Sequence, residues 1–262
     1  MTFLGRTKQH HLLEKMATMH IALALPITFL ATPVLTLLGC LAGSTSVTAD
    51  RVPPVSDGLV SWWTADDGTA RDSFGSNHGL VQHGTNAPGV MGNGFHLDGV
   101  QDFVHIPHSP SLSITGEITV AAWVKPESSG RSGAIVSKYD SRNYSRTSWA
   151  LIYWQGEGLM FTLQGPGNRN QFVKITNSVV PVGVSTHVAA TFVPNGEIKV
   201  FLNGAQVNAA NQFHKDTSDL LDQISNSFCP VRIGSCTYQD GSLNLFHGVI
   251  DEVALFRRAL SE

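Results

Sequence analysis

Helical periodicity is what this chain most lacks. Outside the first 49 residues no long segment repeats apolar side chains at a 3.6-residue spacing, which excludes helical and α/β architectures. The stretch 216–225 alone has the pattern for one or two helical turns. Charge is also scarce, at 14% of residues. Without Arg6, Lys8, Lys15 and Glu14 near the start, 14 bases face 19 acids, and no basic stripe survives. Nucleic-acid binding therefore has no electrostatic footprint. Two catalytic signatures, Gly-x-Ser-x-Gly and His-Glu-x-x-His, do not occur. His105 and His108 do not make a zinc site, because no third ligand is near in sequence and Pro107 and Pro110 keep the segment extended. They read as surface or hydrogen-bonding histidines.

Cysteine is limited to Cys40, Cys229 and Cys236. In an oxidising compartment Cys229 and Cys236 can pair as a disulfide, with Pro230 and Gly234 between them compatible with a closing loop. Two thiols that never meet are the alternative, since spacing does not establish geometry.

What is present begins with a leader. Residues 1–20 carry positive charge and 21–43 carry none, the pattern of a secretory signal peptide. A retained membrane anchor is the rival reading, although Pro26 and Pro33 interrupt the apolar run. Leu37-Leu38-Gly39-Cys40 resembles a lipobox, which would make Cys40 an acylated N-terminus. Val47-Thr48-Ala49 offers ordinary cleavage before Asp50 and is preferred, because Leu38 is bulky for a lipobox. Residues 1–49 are thus a signal peptide or anchor, 50–57 a linker stiffened by Pro53-Pro54, and 58–262 a folded domain. The expectation is an exported protein: secreted, periplasmic or cell-surface, meeting a membrane only through its N-terminal segment.

From Gly58 onward, short segments alternate apolar and polar residues between Gly-, Asn- and Pro-rich turns. HVAATFVPNGEIKVFLNG (187–204) is the clearest. Val188, Ala190 and Phe192 share one face, and Ile198, Val200 and Leu202 share another. Asn195-Gly196 and Asn203-Gly204 supply the positive φ angles of tight turns. Many short strands and no helices predict an all-β fold, a two-sheet antiparallel jelly-roll sandwich.

Six segments in order then resemble a known family: GLVSWWTADDGTARDSFGSNHG (58–79), GFHLDGVQDFVHIPHSPSLSITGEITVAAWVKP (94–126), IVSKYD (135–140), HVAATFVPNGEIKVFLNG (187–204), VRIG (231–234) and FHGVIDEVALFRRALS (246–261). Together they resemble the laminin-G-like jelly-roll domains of the concanavalin A-like lectin and glucanase fold. Ser185 and Val193 stand where the family usually has Trp and Asp.

The resemblance implies a structural Ca²⁺ site in many members, with Asp98 and Asp251 at positions resembling its acidic ligands; Asp66, Asp67 and Asp72 are alternates. An Asx-turn is the plain account of Asp98, and a solvated or hydrogen-bonded strand residue that of Asp251. Glucanases of this fold carry E-x-D-x-x-E on one strand, because retaining hydrolysis needs two carboxyls about 5 Å apart. No two of the six glutamates beyond the leader have that spacing. Asp251 and Glu252 are adjacent, so in a regular strand they face opposite ways.

Lectin-like sheets hold sugars by stacking aromatic rings on them. The richest aromatic supply is residues 137–154, from which Tyr139, Trp149 and Trp154 are the candidate ligand-binding residues. Burial under loops is the competing account. Tyr153 and Trp154 alternate faces, so one of them is core. Trp62, Trp63 and Trp123 read as core. Asn143-Tyr144-Ser145 matches an N-glycosylation pattern, discounted because the leader looks bacterial. The expected function is a noncatalytic exported module binding carbohydrate or a cell-surface protein. A glycan hydrolase and a structural or adhesive domain are the alternatives.

Overall fold

The computed structural model describes residues 53, 55–142, 146–154, 158–175, 180–207, 212–216 and 220–261, with only the backbone described over 212–216. The leader with Cys40, the Asn143-Tyr144-Ser145 pattern, Glu157 and Glu262 lie outside the described residues. A compact unit spans Asp57–Glu262.

The strands are β1 (Leu59–Trp63), β2 (Leu80–Gln82), β3 (Thr85–Pro88), β4 (Asn93–Asp98), β5 (Phe103–Ile106), β6 (Ile118–Pro126), β7 (Gly133–Lys138), β8 (Trp149–Trp154) and β9 (Gly158–Gln164). They continue as β10 (Asn170–Ile175), β11 (Thr186–Phe192), β12 (Lys199–Leu202), β13 (Ala205–Gln206), β14 (Gln212–Asp216), β15 (Val231–Ile233), β16 (Ser235–Thr237), β17 (Leu243–Leu245) and β18 (His247–Phe256). One antiparallel sheet runs β13-β12-β11-β6-β18-β4-β3, with β1 also paired to β18. The second runs β14-β10-β9-β8-β7-β15-β5-β2, and β16-β17 form a separate hairpin. This is the two-sheet jelly-roll sandwich that the alternation predicts.

The core lies between the two sheets. Val120, Val124, Val188, Phe192 and Ile250 face it from the first sheet, and Val104, Ile135, Leu151, Phe161 and Ile233 from the second. Each fully buried side chain of this size stabilises the fold by about 1.5–3 kcal/mol. Period-two alternation puts the intervening residues on the outer faces, where the functional groups lie.

The β11–β12 hairpin forms as the sequence predicts, with Val188↔Leu202 and Ala190↔Val200 in register. At its first turn only Asn195 takes a positive φ, 58°, because Pro194 already sets the preceding corner. At its far end Asn203 and Gly204 both do, at 49° and 83°, the geometry of a two-residue hairpin.

Two expectations are corrected. Residues 220–225, the larger described part of the expected helical turn, are not helical; Leu221 and Ile224 are instead individually buried in the core. Trp62 and Trp63 are buried, but Trp123 is only half-buried, since its place in β6 puts it on the outer face of the first sheet. There it stacks edge-on to His187, with ring centroids 5.4 Å apart. Burial pushes the His187 imidazole down to about 4, so it packs as a neutral ring.

Candidate functional site

A pocket of about 260 Å³ opens on the outer face of the second sheet. Its lining follows from strand parity. Along β8, Trp149, Leu151 and Tyr153 point into the core while Ala150, Ile152 and Trp154 point out. In β9 the outward residues are Met160 and Thr162, and in β10 Asn170, Phe172 and Lys174. The register sets Ile152 beside Met160 and Met160 beside Lys174. Trp154 faces Gly158 across β9, so no side chain stands next to the indole there.

The β16–β17 hairpin supplies the other wall through Cys236 and Tyr238. Cys236 packs on Ala134, Ala150 and Ile152. The Ser137 hydroxyl donates to the Ser235 carbonyl at 2.7 Å, and the Ser141 N–H donates to the Thr237 carbonyl at 3.0 Å. Tyr139, at the end of β7, completes the wall. Burial pushes the Tyr238 phenol up to about 12, which leaves it neutral and able to donate a hydrogen bond. The Lys174 ammonium lies 4.3 Å from the Trp154 ring centroid and 5.5 Å from that of Phe172. Thr162 donates to the Asn170 side-chain carbonyl at 3.0 Å.

Of the three aromatic residues expected to bind ligand, Tyr139 and Trp154 meet in this pocket. Trp149 does not. It shares parity with Tyr153, points into the core and is fully buried. Sequence reasoning missed Asn170, Phe172, Lys174 and Tyr238. The first three had a signal, because NQFVKI places one amide, one ring and one cation at alternate positions.

The expected metal ligands are not brought together. Asp98 pairs with His247 on β18 and Asp251 pairs with Trp123 on β6. Asp98 is exposed and accepts the N–H groups of Val100 at 2.7 Å and Gln101 at 3.1 Å, an Asx-type turn. The Val100 N–H holds its carboxyl below the usual carboxylate range. Asp251 is 2% exposed, and its Oδ2 accepts the N–H groups of Val90 at 2.8 Å and Met91 at 3.2 Å. The other oxygen, Oδ1, is buried without a partner. Burial pushes this carboxyl up to about 6, with the Asp66 charge adding to the effect. The loop 88–93 threads between the two acids: a Cβ on Gly89 would strike Asp251, and one on Gly92 would strike Asp66.

Asp251, with its buried unpartnered oxygen, and Asp66, whose charge it feels, are the acids that would hold the Ca²⁺ that the fold family implies, although among the described residues no group of three His, Cys, Asp or Glu side chains comes together to hold a metal. At Asp98 one oxygen, Oδ1, takes both backbone N–H groups, and the carboxylate stands exposed at the end of β4, away from the buried oxygen of Asp251. Asp72 is likewise committed, to the N–H groups of Trp62 at 2.9 Å, Gly75 at 2.9 Å and Asn77 at 3.0 Å. Asp67 caps Thr69, accepting its N–H at 2.9 Å. A hollow of about 10 Å³ beside Asp251, lined also by Trp123 and Ser185, has room for about one water.

The expected disulfide is absent: Cys229 and Cys236 are free, buried thiols. Strand β15 separates them and their surroundings differ. Cys229 lies by Ser227, whose hydroxyl is 3.1 Å from its sulfur, whereas Cys236 packs under the β16–β17 hairpin. Burial pushes the Cys236 thiol up to about 12, so it is unreactive. The Lys138 ammonium, buried nearby, donates to the Cys229 carbonyl at 2.6 Å and lies 3.1 Å from His108 Nδ1. Burial lowers this lysine to about 8. His108 is therefore one of the expected hydrogen-bonding histidines.

A β-bulge at Glu252, with φ of 53°, separates the two adjacent acids of β18. Glu252 accepts the Trp62 indole N–H at 2.9 Å while Asp251 holds the 88–93 loop. They do not form a catalytic pair, and no carboxylate lines the aromatic pocket.

A family model described as the concanavalin A-like lectin/glucanases superfamily matches residues 98–262, more than half of the chain. The chain belongs to that superfamily. Curated proteins gave no match. Among solved structures, the superfamily fold is shared with domain 4 of AbnA, a GH43 extracellular arabinanase from Geobacillus stearothermophilus, in complex with arabinotriose. That pair is 20% identical with a TM-score of 0.56, over 78% of this chain and 94% of that one. The binding domain of Paraclostridial Mosquitocidal Protein 1 is 13% identical with a TM-score of 0.62, over 78% and 50%. The ligand binding domain of botulinum neurotoxin serotype D, in complex with N-acetylneuraminic acid, is 16% identical with a TM-score of 0.56, over 78% and 48%. The chain spans about half the length of these two toxin domains. At such identities the likeness shows the fold alone.

Proposed function

We propose that this superfamily member is a noncatalytic, exported binding module that recognises carbohydrate through the pocket between β8–β10 and the β16–β17 hairpin. The observation that carries the reading is the pocket's composition. Four aromatic rings, from Tyr139, Trp154, Phe172 and Tyr238, converge with Asn170, Thr162 and Lys174. Rings supply flat apolar faces for a pyranose, and the amide, phenol and ammonium can fix its hydroxyls. At about 260 Å³ the space suits a short stretch of glycan. The relatives crystallised with arabinotriose and with N-acetylneuraminic acid support a carbohydrate ligand. The extracellular arabinanase supports export.

A hydrolase is the less favoured reading, because the two adjacent β18 carboxylates serve separate structural contacts and none reaches the pocket. A structural Ca²⁺, if held, would use Asp251 and Asp66 to brace the 88–93 loop, away from the aromatic pocket. The test is retention on immobilised polysaccharides, run beside an assay for released reducing ends. Retention without release is the expected result, and release of reducing ends would replace the binding module with an enzyme.

A further inference from the structure

We infer that the pocket selects acidic sugars, glycan residues bearing a carboxylate of the uronate or sialate type, and that Lys174 is the selecting residue. The inference rests on the carbohydrate reading above and narrows it. Lys174 is the one charged side chain lining the pocket among the described residues. Among the described side chains, two aromatic faces and no carboxylate hold its ammonium, at 4.3 Å from Trp154 and 5.5 Å from Phe172. A cation–π contact positions an ammonium without neutralising it, so its capacity to pair with an anion is kept. The long side chain is also already ordered, which lowers the entropy cost of using it.

The charges behind the hairpin wall reinforce the same sign. Asp140, bridged to Thr237, is shared by Arg142 at 2.7 Å and Arg146 at 3.8 Å. Arg232, anchored on the Thr237 hydroxyl at 2.6 Å, also feels the Asp140 charge. Asp240, on the hairpin turn, is a second acid among the described side chains here, and its carboxylate accepts the Ser242 hydroxyl at 2.6 Å. Among the residues whose side chains are described, three arginines and two carboxylates stand behind this wall with Lys174 in front of it, and strand register adds Asp216 opposite Phe172. An acidic sugar can set its carboxylate on Lys174 while its ring packs against the aromatic side chains. A neutral sugar leaves the ammonium without an ionic partner.

The experiment is an array of matched glycans, each uronate- or sialate-bearing structure beside its carboxyl-reduced neutral counterpart, probed with the full chain and with Lys174→Met. Methionine keeps the apolar stem and removes the charge. The wild-type chain is expected to prefer the acidic member by about tenfold to a hundredfold, the scale of one charge-assisted pair. Lys174→Met is expected to lose that preference while circular dichroism matches wild type. Lys174→Arg is expected to retain it. Preference for neutral members, or an acidic preference unchanged in Lys174→Met, overturns the inference and leaves the carbohydrate reading standing. Binding to no glycan on the array overturns both.

Discussion

Trp149 and Trp154 lie five residues apart on one strand, yet alanine should affect them in opposite ways. Trp149 is fully buried in the intersheet core. Truncating a tryptophan in such a place costs about 3–5 kcal/mol, from lost transfer energy and the cavity left behind. Against a total stability of about 5–15 kcal/mol, that loss leaves the fold marginal. Trp154 is only partly buried, on the outer face, and its ring makes a cation–π contact with the Lys174 ammonium at 4.3 Å. Losing an exposed cation–π contact and some packing on Ile152 costs about 1 kcal/mol. Urea titration followed by far-ultraviolet circular dichroism reads both losses. Trp149→Ala should lower the midpoint severely, and Trp149→Phe less, since it also removes an indole N–H that has no partner. Trp154→Ala should unfold near wild type and fail to bind glycan. Equal destabilisation by the two alanines would refute the assignment of Trp154 to a binding surface.

Three further outcomes follow from buried groups. Lys138 has a folded value near 8 against 10.5 unfolded, so between those limits the unfolded chain binds more protons and stability rises with pH. The full gain is on the order of 3 kcal/mol. The stability difference between wild type and Lys138→Met should therefore shift in favour of wild type from pH 7.5 to 10, and a flat difference would contradict the burial of a charged amine. Chelator should lower the melting temperature and added Ca²⁺ raise it, by about 2.7 kcal/mol of stability at a hundredfold excess over Kd. Asp251→Asn should abolish that response and Asp98→Ala preserve it; a response surviving in Asp251→Asn would move the ion elsewhere. Maleimide should label Cys229 and Cys236 only after denaturation, without any reductant, whereas a need for reductant would restore the disulfide.

Strand parity made much of this molecule legible. The β11–β12 hairpin, the inward Val188, Ala190 and Phe192, and the outward Trp154 all follow from a period of two. The same rule assigns Trp149 to the core with Tyr153, and assigns Asn170, Phe172 and Lys174 to one face. What parity does not reveal is pairing across the chain. Tyr238 reaches Tyr139 and Trp154 only because the β16–β17 hairpin folds back over the second sheet. Asp251 is held by N–H groups about 160 residues earlier, in a glycine loop with no local pattern pointing to it. The Glu252 bulge likewise breaks the alternation that made the two acids look like simple strand neighbours. The separation of the two cysteines depends on which cavity each thiol fills, and their spacing carries no such information.

Glycan binding in the pocket between β8–β10 and the β16–β17 hairpin can be read directly from the indole rings. The five tryptophans give five indole N–H signals in a ¹⁵N correlation spectrum, one reporter for each environment. Titration with an array-selected oligosaccharide should move the Trp154 signal to saturation and leave Trp62, Trp63 and Trp149 in place. A saturating shift at Trp123, on the opposite sheet, with Trp154 unmoved would contradict the account.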